Sequence, residues 1–146
     1  MIRRAIHDDI PALVEMARAE HALSQLRDTP FDDQVCRARF ESAVASMGAV
    51  VLVSDNGSQL DGVIVGAIQP NMHNRYCTAY ELLWYATKGA GMKLLDALKN
   101  WANRMRATAL VVHNYAGIAE PEKFTRVMAR QGFSALGTSY TMTLEN

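Results

Sequence analysis

The stretch Glu81 to Leu98, ELLWYATKGAGMKLLDAL, constrains this chain more than any other. It opens as a buried-type strand, passes through a turn holding two glycines, and enters an amphipathic helix with no spacer. A strand–glycine turn–helix leaves backbone N–H groups bare at a helix N-terminus. Those donors lack intrahelical partners, and the helix dipole adds partial positive charge, so the turn is built to receive an anion. GAGMK alone is weakly specific. It has neither the GxxxxGK[ST] spacing of a P-loop nor a full GxGxxG dinucleotide fingerprint.

The surrounding pattern decides what kind of sheet carries this turn. Ile2 to Ile6 alternates as a strand. His7-Asp8-Asp9 supplies an N-cap, and Pro11 suits the first turn of a helix running to about Leu23 with Ile10, Leu13, Val14, Ala17 and His21 on one face. A second helix starts at Phe31-Asp32-Asp33, carries Val35, Cys36, Phe40 and Val44 on one stripe, and ends near Gly48. Ala49 to Ser54 and Gln59 to Ile68 are strands joined by the hairpin turn Asp55-Asn56-Gly57-Ser58. Gly62 and Gly66 within the second of these imply close packing or a bulge. Tyr76 to Tyr85 is the next strand. After the glycine turn come a helix with Leu94, Leu95, Leu98, Trp101, Ala102 and Met105 on one face, a strand at Ala109 to His113, a helix from Pro121 closed by Gly132, and two short strands within Phe133 to Leu144. The expected fold is α/β, one domain over residues 1–146, with a mixed, mostly antiparallel sheet of six to seven strands flanked by four helices in the order β-α-α-β-β-β-α-β-α-β-β. A doubly wound sheet would alternate strand and helix throughout, whereas three strands here precede the glycine turn.

Composition removes several function classes. Fifteen basic and fifteen acidic residues cancel, so no net field holds the chain on nucleic acid or an anionic membrane. No apolar run approaches the roughly 20 residues of a membrane span, and the start MIRRAIHDDI reads as strand and cap rather than signal peptide. Cys36 and Cys77 read as reduced thiols of a cytoplasmic protein. His7, His21 and His73 show no metal-ligand spacing, and no metal is expected. Met16, Met47, Met72, Met92, Met105, Met128 and Met142 read mainly as core filler.

The element order and the opening motif together resemble the Gcn5-related N-acetyltransferase (GNAT) family over nearly the whole chain, with some likeness to its small phage and prophage members. The features that carry this are the two helices after the first strand, the Asn-Gly hairpin, Tyr80-Glu81-Leu82-Leu83-Trp84-Tyr85, the Gly89-Ala90-Gly91 turn, the helix with Leu94-Leu95 and Trp101-Ala102, the strand Ala109 to Val112, and the ending Arg130-Gln131-Gly132-Phe133. The resemblance implies an acetyl-CoA-dependent N-acetyltransferase that moves an acetyl group to a primary amine by direct attack in a ternary complex. The alternative is a weak or inactive CoA-binding module of the same fold. The resemblance places the pyrophosphate on the backbone of Lys88, Gly89, Ala90, Gly91, Met92 and Lys93. Trp84, Tyr85 and Ala86 face the pantetheine arm, with a backbone N–H there as oxyanion donor, and Asn114 matches a position that contacts the arm. Glu81 is the general base it implies. Tyr115 and Tyr140 are candidate general acids, with Tyr85 also near and His113 as an alternative base. The acceptor is a protein lysine, a small amine or a modified base. Asp28, Asp32 and Asp33 either favour a cationic acceptor or cap the second helix. Dimers are common in this fold, so a homodimer is expected by analogy.

Two positions depart from the family pattern. Ala86 stands where a basic residue precedes the glycine loop, and Met128 stands where many members carry a proton-donating tyrosine.

Overall fold

The structure is a computed structural model and describes residues 1–114 and 120–145. Strands β1 (Ile2–Arg4), β2 (Ala49–Asp55), β3 (Leu60–Pro70), β4 (Cys77–Ala86) and β5 (Ala109–Val111) form one sheet in that spatial order. The first four are antiparallel neighbours, and β4 pairs with β5 in parallel. Helices α1 (Ile10–Leu23) and α2 (Asp33–Ala45) cover one face. Helix α3 (Gly91–Arg104) covers the other, and α4 (Pro121–Arg130) follows β5. Among the described residues no helix is long and apolar enough to cross a membrane.

The side chains of β2 and β3 divide between two cores. Val51, Val53, Val63 and Val65 meet Ile10, Leu13, Val14, Ala17 and Phe40 under α1 and α2. Val50, Leu52 and Ile64 meet Leu94, Leu98, Trp101 and Ala102 under α3. This is period-2 strand geometry with both faces covered, which is why AVVLVS reads as continuously apolar. Ile10, Leu13, Val14 and Ala17 of the α1 stripe are buried as expected and His21 is half-buried, while Val35 of the α2 stripe is 50% exposed. The N-cap expected from Asp9 is not made by its side chain. The Asp9 carboxylate accepts the Ile6 N–H and pairs with Arg3 at 2.8 Å, which holds it below the usual carboxylate range.

Gly66 is where helix and sheet approach most closely. A Cβ there would lie 2.5 Å from Leu98 Cδ1 and 3.1 Å from Trp101 Cζ3. Leu98 is fully buried and Trp101 nearly so, so neither can swing away. Gly66→Ala is expected to cost about 1–3 kcal/mol of overpacking. A urea midpoint unchanged from the natural chain would show that α3 yields freely.

The sheet has five strands among the described residues, not the six to seven expected. Phe133 to Leu144 forms no strand, and large apolar residues in it are exposed, with Leu136 at 85% and Tyr140 at 93%. Alternation in a sequence assigns the two faces of a strand but does not supply its partner. β5 is likewise shorter than expected, ending at Val111 because its pairing with β4 stops there.

Candidate active site

The site is created by two irregularities in β4. The first is a bulge. Glu81 lies opposite Gly66 and Leu83 opposite Val65, so Leu82 is an extra residue on β4. A bulge breaks the two-residue alternation and re-aims the side chains around it. Ala79 accordingly packs in the α3-side core, whereas Leu83 and Tyr85 pack against the α1–α2 core.

The second irregularity is a splay. β4 and β5 pair through Tyr80↔Val111 and no further, although β4 runs on to Ala86. At the point of separation the Glu81 side chain replaces the main-chain ladder: its Oε2 accepts the His113 backbone N–H at 3.1 Å. The His113 ring stands nearby, with Nδ1 3.8 Å from the same oxygen. Glu81, His113, Tyr80, Leu82 and the β3 residues Ala67 to Gln69 line a cavity of about 440 Å³.

Glu81 is only 5% exposed. Burial raises its pKa from an ordinary 4.5 to about 7. The His113 N–H bond opposes this, and the negative charge of Glu20 on α1 reinforces it. Burial also raises the Glu20 carboxyl, with His21 opposing. A carboxyl that titrates near neutrality beside a cavity can take up or release a proton there.

Past β4 the chain turns sharply. Thr87 is anchored by its N–H and hydroxyl to the Asp61 carbonyl at 2.8 and 3.1 Å. Lys88 and Gly89 both have positive φ, +53° and +77°. Glycine accepts this conformation without strain, and lysine holds it at some cost. The turn delivers Ala90, an N-cap residue with no side-chain acceptor, so the first turn of α3 is not capped from within. Lys88, Gly89 and Lys93 are exposed there, while Gly91 and Met92 are half-buried. The Trp84 ring lies beneath Gly91 and meets Phe124 of α4 edge-on, with ring centroids 6.4 Å apart.

The remaining sequence candidates separate. Asn114 lies next to His113 at the splay, while Tyr115 falls outside the described residues. Tyr140 sits in the exposed tail and is not among the residues lining the Glu81 cavity. Tyr85 is half-buried and packs on the α1–α2 core. Met128 is buried in α4 and lines a different cavity, beyond β5. Two of the acidic residues have structural occupations. Asp32 caps α2 by accepting the Val35 N–H at 3.0 Å, and Asp33 pairs with Arg18 at 2.6 Å. Glu20 was not singled out by the sequence pattern, because its nearness to Glu81 depends on how α1 crosses the sheet. Among the described residues no cluster of three or more His, Cys, Asp or Glu could hold a metal ion.

The same overall fold occurs in solved structures, several of which are described as acetyltransferases. The chain superposes on a putative acetyltransferase from Agrobacterium tumefaciens str. C58 with a TM-score of 0.75 at 15% identity, covering 99% of both chains. It matches an aminoglycoside acetyltransferase from an uncultured soil metagenomic sample, solved with sisomicin, with a TM-score of 0.73 at 14% identity, covering 99% of this chain and 96% of that one. A structure described as a transcriptional regulator from Bacillus halodurans C-125 gives 0.76 at 17% identity over 99% of both chains. At these identities the likeness establishes the fold. No protein-family model and no curated protein sequence matches the chain.

Proposed function

We propose that this protein is an acetyl-CoA-dependent N-acetyltransferase acting on a primary amine in a ternary complex. The observation that carries the reading is Glu81, a buried carboxyl titrating near 7 at the point where β4 and β5 part.

The residues present fit such a co-substrate. The uncapped first turn of α3 and the exposed Lys88 and Lys93 suit the pyrophosphate, and glycine at position 89 keeps side-chain bulk off that backbone. Beyond the last β4–β5 pair, the main chain of Trp84 to Ala86 is left to receive an extended arm, with Asn114 at the opposite lip. Acetyl-CoA supplies an activated thioester carbonyl. Glu81 takes a proton from the acceptor ammonium, directly or through water, and leaves a nucleophilic amine. The amine nitrogen bonds to the carbonyl carbon, and a β4 backbone N–H stabilises the oxyanion. The C–S bond then breaks and the thiolate is protonated. With Met128 unable to donate a proton, Tyr115 or water fills that role.

The test is transfer from acetyl-CoA to a broad panel of amines, with protein lysines, small amines and modified bases among them. Transfer to at least one class is expected, and Glu81→Gln should lower kcat/KM for it. Ala86 and Met128 favour a second reading, a CoA-binding module of the same fold without efficient transfer. That reading predicts CoA binding with no acetylated amine.

A further inference from the structure

The buried stripe of α1 ends in a charge. Ile10, Leu13, Val14 and Ala17 are buried along it. Glu20, three residues past Ala17 and seven past Leu13, falls at the Leu13 side of the same face and is half-buried. A helix that covers a sheet ordinarily places apolar residues there. Among the described residues the Glu20 carboxylate makes no ion pair or hydrogen bond. Its neighbours on α1 are engaged elsewhere: Arg18 pairs with Asp33 at 2.6 Å and Glu15 at 3.5 Å, and the His21 ring meets the Thr29 hydroxyl at 3.2 Å and Phe31 edge-on. A carboxylate taken partly out of water without a partner is costly to keep.

The stripe lies over the strand that carries Glu81. α1 packs against β4, and Leu83 and Tyr85 of β4 lie against the core that the stripe helps to form. Glu81 itself is 5% exposed and lines the 440 Å³ cavity. The groups around it bring few charges. His113 faces it with its backbone N–H and its ring, Tyr80 adjoins it on β4, and Ala67, Ile68 and Gln69 of β3 are uncharged. Among the described residues, Glu20 is the one negative charge set against it.

We propose that Glu20 is a positioning residue for the proposed base: α1 holds its unpaired charge against β4, so that Glu81 keeps its proton before an acceptor arrives and gives it up when a cationic one enters. Two like charges facing each other in a partly dry site disfavour double ionisation, and a cation nearby removes that penalty. The entering ammonium therefore lets Glu81 release its proton to water. The carboxylate so formed then takes a proton from the ammonium nitrogen, leaving the free amine. Glu20 also keeps the proton affinity of Glu81 high enough for that transfer, since a base is most effective when it titrates near the working pH. The role of Glu20 rests on the acetyl-transfer reading, whereas its effect on Glu81 is measurable without turnover.

The test follows the Glu81 carboxyl by carbon-13 NMR across pH in the natural chain, Glu20→Gln and Glu20→Asp, and measures the pH profile of kcat/KM on the same three proteins. Glutamine keeps the shape of the side chain and removes its charge. Glu20→Gln should move the Glu81 midpoint to lower pH, and the acid limb of the profile should move with it. Glu20→Asp keeps the charge and should restore most of both. A side chain that only packs would move neither. An NMR midpoint unchanged in Glu20→Gln, or moved equally by the two substitutions, would overturn the inference. So would a profile that stays in place while the carboxyl midpoint moves. A shifted midpoint in a chain that acetylates no amine would uphold the coupling of Glu20 to Glu81 and overturn the acetyl-transfer reading alone.

Discussion

Glu81→Gln should both slow acetyl transfer and stabilise the fold at alkaline pH. A carboxyl whose pKa is about 7 when folded and 4.5 ordinarily holds its proton more tightly in the folded chain. The folded state therefore binds more protons between those values, and stability falls as pH rises from about 4.5 to about 7. Above about 7 the whole penalty of a buried charge is present. At about 1.36 kcal/mol for each pH unit between the two values, the penalty is of order 3 kcal/mol. Glutamine keeps an oxygen for the His113 N–H and carries no charge. Thermal melts of the two proteins should nearly coincide at about pH 4 and separate in favour of glutamine at about pH 8. Activity should move the other way: kcat/KM for the natural chain rises through half its maximum near pH 7 as Glu81 ionises and levels off about one unit above, and Glu81→Gln lowers it by about 10²–10⁴-fold. A melting difference that does not change with pH would show that Glu81 is not a buried acid.

Trp101→Ala is expected to be the most damaging single change to the core, at about 3–5 kcal/mol. Trp101 is the largest of the fully buried side chains, and its ring packs on Gly66, directly behind the bulge that positions Glu81. Its Nε1 is buried with no hydrogen-bond partner among the described residues. Burying a donor without a partner costs free energy. Trp101→Phe, which keeps most of the apolar area and discards that donor, should cost much less than the alanine change. Denaturant midpoints would compare the two, and equal losses would mean that the indole N–H is satisfied in solution.

Much of this was legible in the sequence because it is local. The α1 stripe, the Asn-Gly hairpin, the buried strands and the turn into α3 each follow from periodicity and turn chemistry within a dozen residues. Glu81 stood out because the strand Tyr80 to Tyr85 resembles the family's Glu-containing strand. What was not legible is relational. The glycine at 66 hinted at a bulge, but that Leu82 is the extra residue depends on the register of two strands. The partner of Glu81 is the main chain of residue 113, and no side-chain motif announces a backbone donor. The charge of Glu20 reaches Glu81 only through the crossing of α1. The tail shows the opposite case, a strand pattern plain in the sequence that finds no ladder in the single chain.

The account stands on the claim that the split between β4 and β5, with the glycine turn beside it, holds acetyl-CoA. Calorimetric titration of acetyl-CoA into the purified chain tests this most directly. One site per chain is expected, weakened by Lys88→Glu, which reverses the charge at the turn, and by Gly89→Val, which forces a β-branched residue to a φ of +77°. No binding at high ligand concentration, or binding that neither substitution disturbs, would contradict it.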